Sequence, residues 1–473
     1  MDTSELLLRL HRAFDQAGKQ LYLVGGSVRD LLLGRPRQDL DLATDARPEE
    51  TKAILRQLRP DALYTVGEKF GTIGAVFNGH RVEITTFRSE QYTPGSRKPE
   101  VDFGTSLEGD LSRRDFTINA MARNLTTGEI IDPFGGLKDL EAGLIRAVGD
   151  PDTRFAEDPL RLLRAVRFAA ELGFTIDPAT AAAIRRQAHR LQEVSRERIA
   201  EELNRILLSP RPGLGIRLLV ELGLLAHIVP EVLEMLGMPQ DRGRYKDVFT
   251  HTLAVVENVP PNLVLRWAAL LHDIAKPRTI SFDEKGEVSF IGHELVGEQM
   301  TREILRRLRF DNRTIKKVAK LVRMHLRPNQ YGPDWTDSAV RRLVREAGDD
   351  LEELLILSRA DVTSARPARR RAARTRVDEL ERRIRELAER ERIEALKSPL
   401  DGHELMAMFG LGPGPWIRPI KDYLQELVIE GQLAPDDKET ARELALKFAA
   451  EHPEIFAEAR PVAVSGPEKP KGE

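Results

Sequence analysis

Hydrophobic periodicity changes character near residue 150, and that change sets the fold class. Before it, short apolar runs rich in β-branched residues predict strands among helices: LYLVG (21–25), TIGAVF (72–77) and RVEITTF (81–87). Beyond it, apolar residues recur at three- and four-residue steps almost without a break, which predicts helix after helix. The expected fold is an α+β head followed by all-α domains. With 473 residues the chain has room for about three domains of roughly 100–200 residues each. Aromatics are only 5% of it against 41% hydrophobic in all, so aliphatic side chains must fill the cores.

Proline and glycine punctuate the helical part at 209–215, 257–262 and 327–335. The polar stretch 88–106, with Pro94, Gly95 and Pro99, predicts a mobile loop that carries Arg88, Arg97 and Lys98. Residues 366–376 hold six Arg in eleven positions, and a charged, helically periodic segment continues to Arg392. SPLDGHELM (398–406) opens a further small helical unit, and the tail 461–473 is expected to be disordered. No internal repeat is visible. The expected division is a head at 1–150, a neck and body at 151–240, a further domain at 241–365, a helical tail at 366–460 and the terminal 461–473.

A net charge of −2 conceals 73 Lys and Arg against 75 Asp and Glu, so it neither supports nor excludes a nucleic-acid partner. The chain has no Cys, which rules out disulfides and thiolate metal sites; any metal must use His and carboxylates. MDTSELLLRLHRAF reads as an amphipathic helix rather than a signal peptide. No apolar run approaches the ~20 residues of a membrane span, and a cytoplasmic protein with no membrane partner is expected.

The densest signal is LVGGSVRDLLLGRPRQDLDLAT (23–44). A strand should end at Gly25-Gly26 and a helix begin near Ser27, a good N-cap residue. Gly26 lets backbone N–H groups approach a phosphate, and Arg29 can add a charged contact. Asp39 and Asp41 are two apart, which on a strand puts both carboxylates on one face. Two hard oxygen ligands beside substrate phosphates suit Mg²⁺, and such ions activate a hydroxyl and stabilise leaving pyrophosphate.

GGSVRD…DLD resembles the signature of the class II tRNA nucleotidyltransferase and bacterial poly(A) polymerase family, within the polymerase-β-like superfamily. LSRRDFTINAMA (111–122), DPFGG (132–136), AEDPLRLLRAVRFAAELGF (156–174) and ERIAEELNRILL (197–208) resemble that family's later motifs. The resemblance implies a head, neck, body and tail, and an enzyme that adds CCA to tRNA 3′ ends from CTP and ATP. It further implies a third carboxylate at Glu83, triphosphate contacts from Arg113 or Arg114, and roles for Asp115 and Asn119 in holding the ribose and the head. The length of the 88–106 segment favours an enzyme able to add the terminal A.

In EDPLR, Asp158 and Arg161 are three apart, which predicts neighbours on one helix face. A carboxylate accepts from an exocyclic amine and a guanidinium donates to a ring nitrogen. Cytosine and adenine both offer that amine–acceptor edge; uracil and guanine reverse it. Such mismatches are worth roughly 1–3 kcal/mol per bidentate contact. The resemblance assigns base selection to this pair and puts Arg164 and Arg167 near the nucleotide phosphates, although one of the two can be structural.

His251, His272, Asp273, His293, His325 and Asp361 form a spaced His/Asp set, and LLHDIAKPRT (270–279), GHELVG and RMHLRP resemble the HD phosphohydrolase signature. Imidazole with carboxylate suits a divalent transition metal such as Mn²⁺, Ni²⁺, Fe²⁺ or Zn²⁺. Lys276 would take phosphate charge. The Arg-rich 366–392 segment is a candidate track for an RNA backbone, and 410–433 resembles the tRNA-contacting C-terminal segment of HD-bearing family members. The rival readings are an A-adding enzyme, a poly(A) polymerase, and an HD phosphohydrolase whose head only binds RNA. Oligomeric state is not legible.

Overall fold

The computed structural model describes residues 2–35, 39–91, 100–104, 106–239, 247–282, 284, 288–362, 367–391 and 397–457. The chain divides into two compact units, Met1–Ala319 and Lys320–Glu473. The tail 461–473, Arg97 and Lys98 lie outside the described residues.

The first unit opens with the helix Thr3–Gln16. Asp2 caps it by accepting from the Glu5 N–H, and Leu6, Leu10 and Phe14 are buried along one face. Five strands follow: β1 (Leu21–Val24), β2 (Asp39–Thr44), β3 (Ala62–Tyr64), β4 (Thr72–Phe77) and β5 (His80–Thr86). A hairpin of β6 (Arg88–Gln91) and β7 (Glu100–Phe103) comes next, then β8 (Ala122–Asn124) and β9 (Ile130–Ile131). The seven-stranded head sheet runs β3-β4-β5-β2-β1-β8-β9. Only β2 and β5 pair in parallel there. Parallel neighbours need a long crossover, which the helix Pro48–Gln57 with β3 and β4 supplies.

Alternation fixes the register. Leu40, Leu42, Val82, Ile84, Ile73, Ala75 and Phe77 are buried on one side of the sheet. Asp39, Asp41, Arg81, Glu83, Gly74 and Tyr64 take the other. A slip of one residue would put the acids into the core.

The expected mobile loop at 88–106 is corrected at its ends. β6 and β7 pair antiparallel from Arg88↔Phe103 to Gln91↔Glu100, so both ends of the segment are strand; Pro94, Gly95 and Pro99 lie outside the described residues. Its base is held where Phe103 lies over Gly71, at φ 82, where an added Cβ would come within 2.6 Å of the ring.

From Pro151 the first unit is helical. The helix Arg161–Leu172 buries ten of its twelve residues, and Arg196–Leu208 and Pro212–Glu221 also pack in this region. In the second unit the helices Gly402–Phe409, Ile417–Ile429 and Lys438–Glu451 enclose a core around Trp416, Leu405, Ile420 and Leu424. The helix Pro367–Glu391 buries Ala373, Val377, Leu380, Ile384 and Leu387 at helical spacing. No helix among the described residues is long and apolar enough to cross a membrane.

Candidate active site

Asp39 and Asp41 project from one face of β2, while Leu40 and Leu42 point into the core. The register pairs Asp41 with Glu83, so a third carboxylate stands on the same face in the next strand. The Asp41 N–H donates to the Ser27 hydroxyl at 2.9 Å, tying the acidic strand to the glycine turn. Lost hydration, then repulsion from Asp41 and Asp39, raises the Glu83 carboxyl above the usual range, with Arg81 opposing. A divalent cation with hard-oxygen preference would relieve that repulsion, so the donor set fits one.

The turn itself requires glycine. Gly25 has φ 64, and a Cβ there would sit 2.6 Å from Arg114 Nη1. It also caps the helix Gly26–Leu32, so Ser27 is not the N-cap expected from sequence but part of the first turn. Arg113 and Arg114 both pair with the buried Asp110, at 3.0 and 3.3 Å.

Arg29 points inward rather than to an open phosphate position. Its Nη1 donates to Asn119 Oδ1 at 2.7 Å and its Nε to Asp30 Oδ1 at 2.8 Å. Asn119 Nδ2 donates to Asp115 Oδ1 at 3.1 Å, and Arg164 Nε donates to Asp115 Oδ2 at 2.7 Å. A continuous chain therefore runs Asp30–Arg29–Asn119–Asp115–Arg164 from the head into the following helix, buried up to Asp115 and ending at the half-buried Arg164. Burial alone would raise the Asp115 carboxyl; Arg164 and Arg161 outweigh it and hold it well below the usual range.

Around this chain, the guanidinium carbons of Arg29, Arg164 and Arg167 lie 5.0, 5.3 and 4.4 Å from the centre of the Phe168 ring. Desolvated cation–π contacts are worth about 2 kcal/mol. Burial pulls Arg167 down to about 10, still charged at neutral pH. Its partner is Glu202 at 3.2 Å, whose carboxyl burial pushes up. Sequence reasoning missed Phe168 and Glu202 in these roles. The spacing of Arg161, Arg164 and Arg167 on RLLRAVRF was the available signal, since a ring next to such a stripe can serve several cations.

Asp158 and Arg161 do not share a helix face. Asp158 ends the helix Pro151–Glu157 in an extended conformation (φ −141, ψ 101), and the next helix begins at Arg161. Pro159 disfavours helix at the residue before it, which explains the break. Asp158 accepts from the Leu160 N–H at 3.1 Å and from Arg198 at 3.0 Å. Arg161 donates to Glu157, to the Arg154 carbonyl and to the Arg113 carbonyl.

A second cluster lies further along the first unit. His251 is buried on the helix Val248–Asn258, His272 and Asp273 follow Leu263–Leu271, and His293 begins His293–Arg307. The Nε2 atoms of His251, His272 and His293 lie 3.3, 3.2 and 3.3 Å from Asp273 carboxylate oxygens. Lys276 pairs with the same carboxylate at 2.8 Å. His272 Nδ1 is 2.7 Å from the Ala269 carbonyl, and His293 Nδ1 is 2.7 Å from that of Phe290. A carbonyl only accepts, so Nδ1 carries the proton and Nε2 keeps its lone pair for a ligand. These residues fit a metal bound by imidazole and carboxylate. In the second unit, buried His325 shows the same lock, its Nδ1 2.6 Å from the Val322 carbonyl, and Asp361 caps the helix Leu351–Ala360.

Residues 21–146 match the poly A polymerase head domain, 173–236 the probable RNA- and SrmB-binding site of polymerase A, and 248–366 the HD domain. A CCA-adding enzyme of Anoxybacillus flavithermus is 34% identical over 91% of this chain and 93% of its own length. An A-adding tRNA nucleotidyltransferase of Deinococcus radiodurans is 35% identical over 91% of this chain and 96% of its own. The crystal structure of the Bacillus stearothermophilus CCA-adding enzyme in complex with CTP aligns with a TM-score of 0.67 and 29% identity. It covers 96% of this chain and 100% of that one. With paired strand carboxylates, a glycine turn and an HD cluster in one polypeptide, the chain belongs to the tRNA nucleotidyltransferase family of the CCA-adding enzymes.

Proposed function

We propose that this enzyme completes the 3′-CCA end of tRNA from CTP and ATP, acting in the cytoplasm. The observation that carries the reading is the shared face of Asp39, Asp41 and Glu83 in a chain alike to CCA-adding enzymes over nine-tenths of its length. Asp39 and Asp41 would hold Mg²⁺, which when bound activates the tRNA 3′-hydroxyl and stabilises the leaving pyrophosphate. Gly26, Arg29 and Arg113 remain assigned to the triphosphate and Arg164 and Arg167 to the nucleotide. Arg164, about a third exposed, is the member of this network open to a ligand, whereas Arg29 and Arg167 are buried and would act by holding the site in place.

Asp158 and Arg161 are assigned the base edge. A carboxylate has several acceptor positions and a guanidinium five donors, so the contacts each makes do not exhaust it. Asp158→Ala is expected to raise UTP and GTP incorporation relative to CTP by about tenfold, the lower range of one lost bidentate contact. Steady-state misincorporation measures this, and wild-type selectivity in the variant would contradict the assignment.

His251, His272, Asp273 and His293 would hold a divalent transition metal, which when bound lowers the pKa of a water for attack on a phosphoester. His325 and Asp361 keep their assignment to the set from the sequence pattern. Phosphatase or 2′,3′-cyclic phosphodiesterase activity is the reaction class that this chemistry favours. In the second unit, Arg370, Arg371, Arg374 and Arg376 are exposed and carry no ion pair among the described residues. Arg382, Arg383 and Arg385 further along the helix are paired with acids. That contrast supports the first half of the helix as the part that meets RNA phosphates.

A second reading, addition of the terminal A alone, is favoured by the similarity to the Deinococcus radiodurans A-adding enzyme. Three tRNA substrates decide between them, ending before CCA, after C and after CC, with CTP and ATP supplied separately. Extension of all three supports full CCA addition. Extension of the third alone, and only with ATP, supports the second reading. Long homopolymeric A tails would instead identify a poly(A) polymerase.

A further inference from the structure

Resting on that proposed function, one feature of the head points to where the RNA end itself is held. The cross-strand register continues beyond the acids. Asp41 pairs with Glu83, Glu83 with Gly74, and Gly74 with Tyr64, so four strands contribute one row on the same face. At the third position of the row there is no side chain. Tyr64, at the fourth, is half exposed, 50%. Two inter-strand spacings, about 9–10 Å, separate its strand from that of Glu83. Because Gly74 has no side chain, the Tyr64 ring leans over it, with Tyr64 Cδ2 3.6 Å from where a Cβ would stand.

The turn that leaves Tyr64 adds to it. Val66 is 94% exposed and Phe70 45% exposed. This turn is well constrained: Glu68, Phe70, Gly71 and Thr72 N–H groups all donate to carbonyls of Thr65, Gly67 or Glu68 at 2.9–3.1 Å. Glu68 pairs with Lys52. A Cβ on Gly67 would press on Thr72 at 3.0 Å. Apolar side chains held outward by an ordered turn that follows the edge strand of the acidic sheet mark a binding surface rather than a fold requirement. Lys69 and Arg81 are exposed on the same turn and the same sheet face, with no ion pair among the described residues. Aromatic and apolar faces interleaved with cations are what single-stranded nucleic acid binds.

We propose that Tyr64, flanked by Val66 and Phe70, is the stacking platform for the 3′-terminal base of the RNA being extended. The 3′-hydroxyl must reach the carboxylates, and the Tyr64 ring, leaning over Gly74, brings the platform towards the strand of Glu83. Lys69 and Arg81 supply phosphate contacts along the same path.

The test uses the full-length enzyme and a tRNA that ends before CCA. Tyr64→Ala is expected to raise the KM for tRNA about tenfold, within the range for one lost base stack, and to move the KM for CTP less than twofold. Tyr64→Phe should keep the wild-type tRNA KM, because the ring and not the hydroxyl does the stacking. Photocrosslinking a tRNA that carries 5-iodocytidine at its 3′ terminus should label the peptide holding Tyr64. An unchanged tRNA KM in Tyr64→Ala, an equal rise in the CTP KM, or a crosslink confined to other peptides overturns the platform. A wild-type enzyme that extends no tRNA defeats the proposed function instead, and the crosslink then still decides whether Tyr64 meets an RNA end.

Discussion

Asp41→Ala is expected to lower nucleotide incorporation at least about a thousandfold, while any hydrolysis of phosphoesters, the activity proposed for the HD cluster, stays at its wild-type rate. Metal ions that stabilise both the attacking and leaving oxygens contribute several kcal/mol to the transition state, and each 1.36 kcal/mol is about tenfold in rate. Asp41 is half-buried beside Glu83, and its backbone N–H holds Ser27. The substitution removes the carboxylate and leaves that backbone bond, so the strand should keep its register. Single-turnover extension of tRNA gives the first rate, and release of phosphate from a model phosphomonoester the second. Loss of both activities, or of neither, would show that the two centres are not divided as proposed.

The second large effect is on stability. Asp115→Ala should lower the unfolding free energy by roughly 2–3 kcal/mol, the cost of leaving buried donors without their acceptor; Arg164, about a third exposed, can be rehydrated in part. Arg164 would lose its carboxylate, Asn119 its acceptor, and the Phe116 N–H its bond at 2.8 Å. The sign of the pH dependence follows from the shift. In the folded state the Asp115 carboxyl lies well below its unfolded value, so its contribution is fully present above about pH 4 and is lost as pH falls towards the folded pKa. Urea titrations at pH 7 and pH 3 measure both quantities: the gap between wild type and Asp115→Ala should narrow at the lower pH. A difference below about 1 kcal/mol at pH 7 would mean that Arg164 finds another partner.

Much of the head could be read from residue order because its signals are local. DLDL alternates acid and leucine, and strand geometry alone then fixes which face each side chain takes. The helical remainder declared itself through its period. The failures were of a different kind. The 88–106 segment read as a loop because Pro94, Gly95 and Pro99 sit between its two strands, and both strands are only four residues long. Asp158 and Arg161 looked like one helical step, although Pro159 carried the warning. Three positively charged side chains around Phe168 were the least legible, since cations default to the surface and nothing local announces that three of them share a buried ring. That arrangement exists only because segments far apart in the chain meet.

The Phe168 cluster also bears on how such a protein can be taken apart. Arg29 comes from before residue 150, Arg164 and Arg167 from after it, and Glu202 from later still. A chimera that transplants the first 150 residues onto a foreign body would sever this shared nest and strand its charges. The smallest transferable cassette therefore extends past Glu202, and recombination between homologues should tolerate crossovers downstream of that point far better than at the apparent seam.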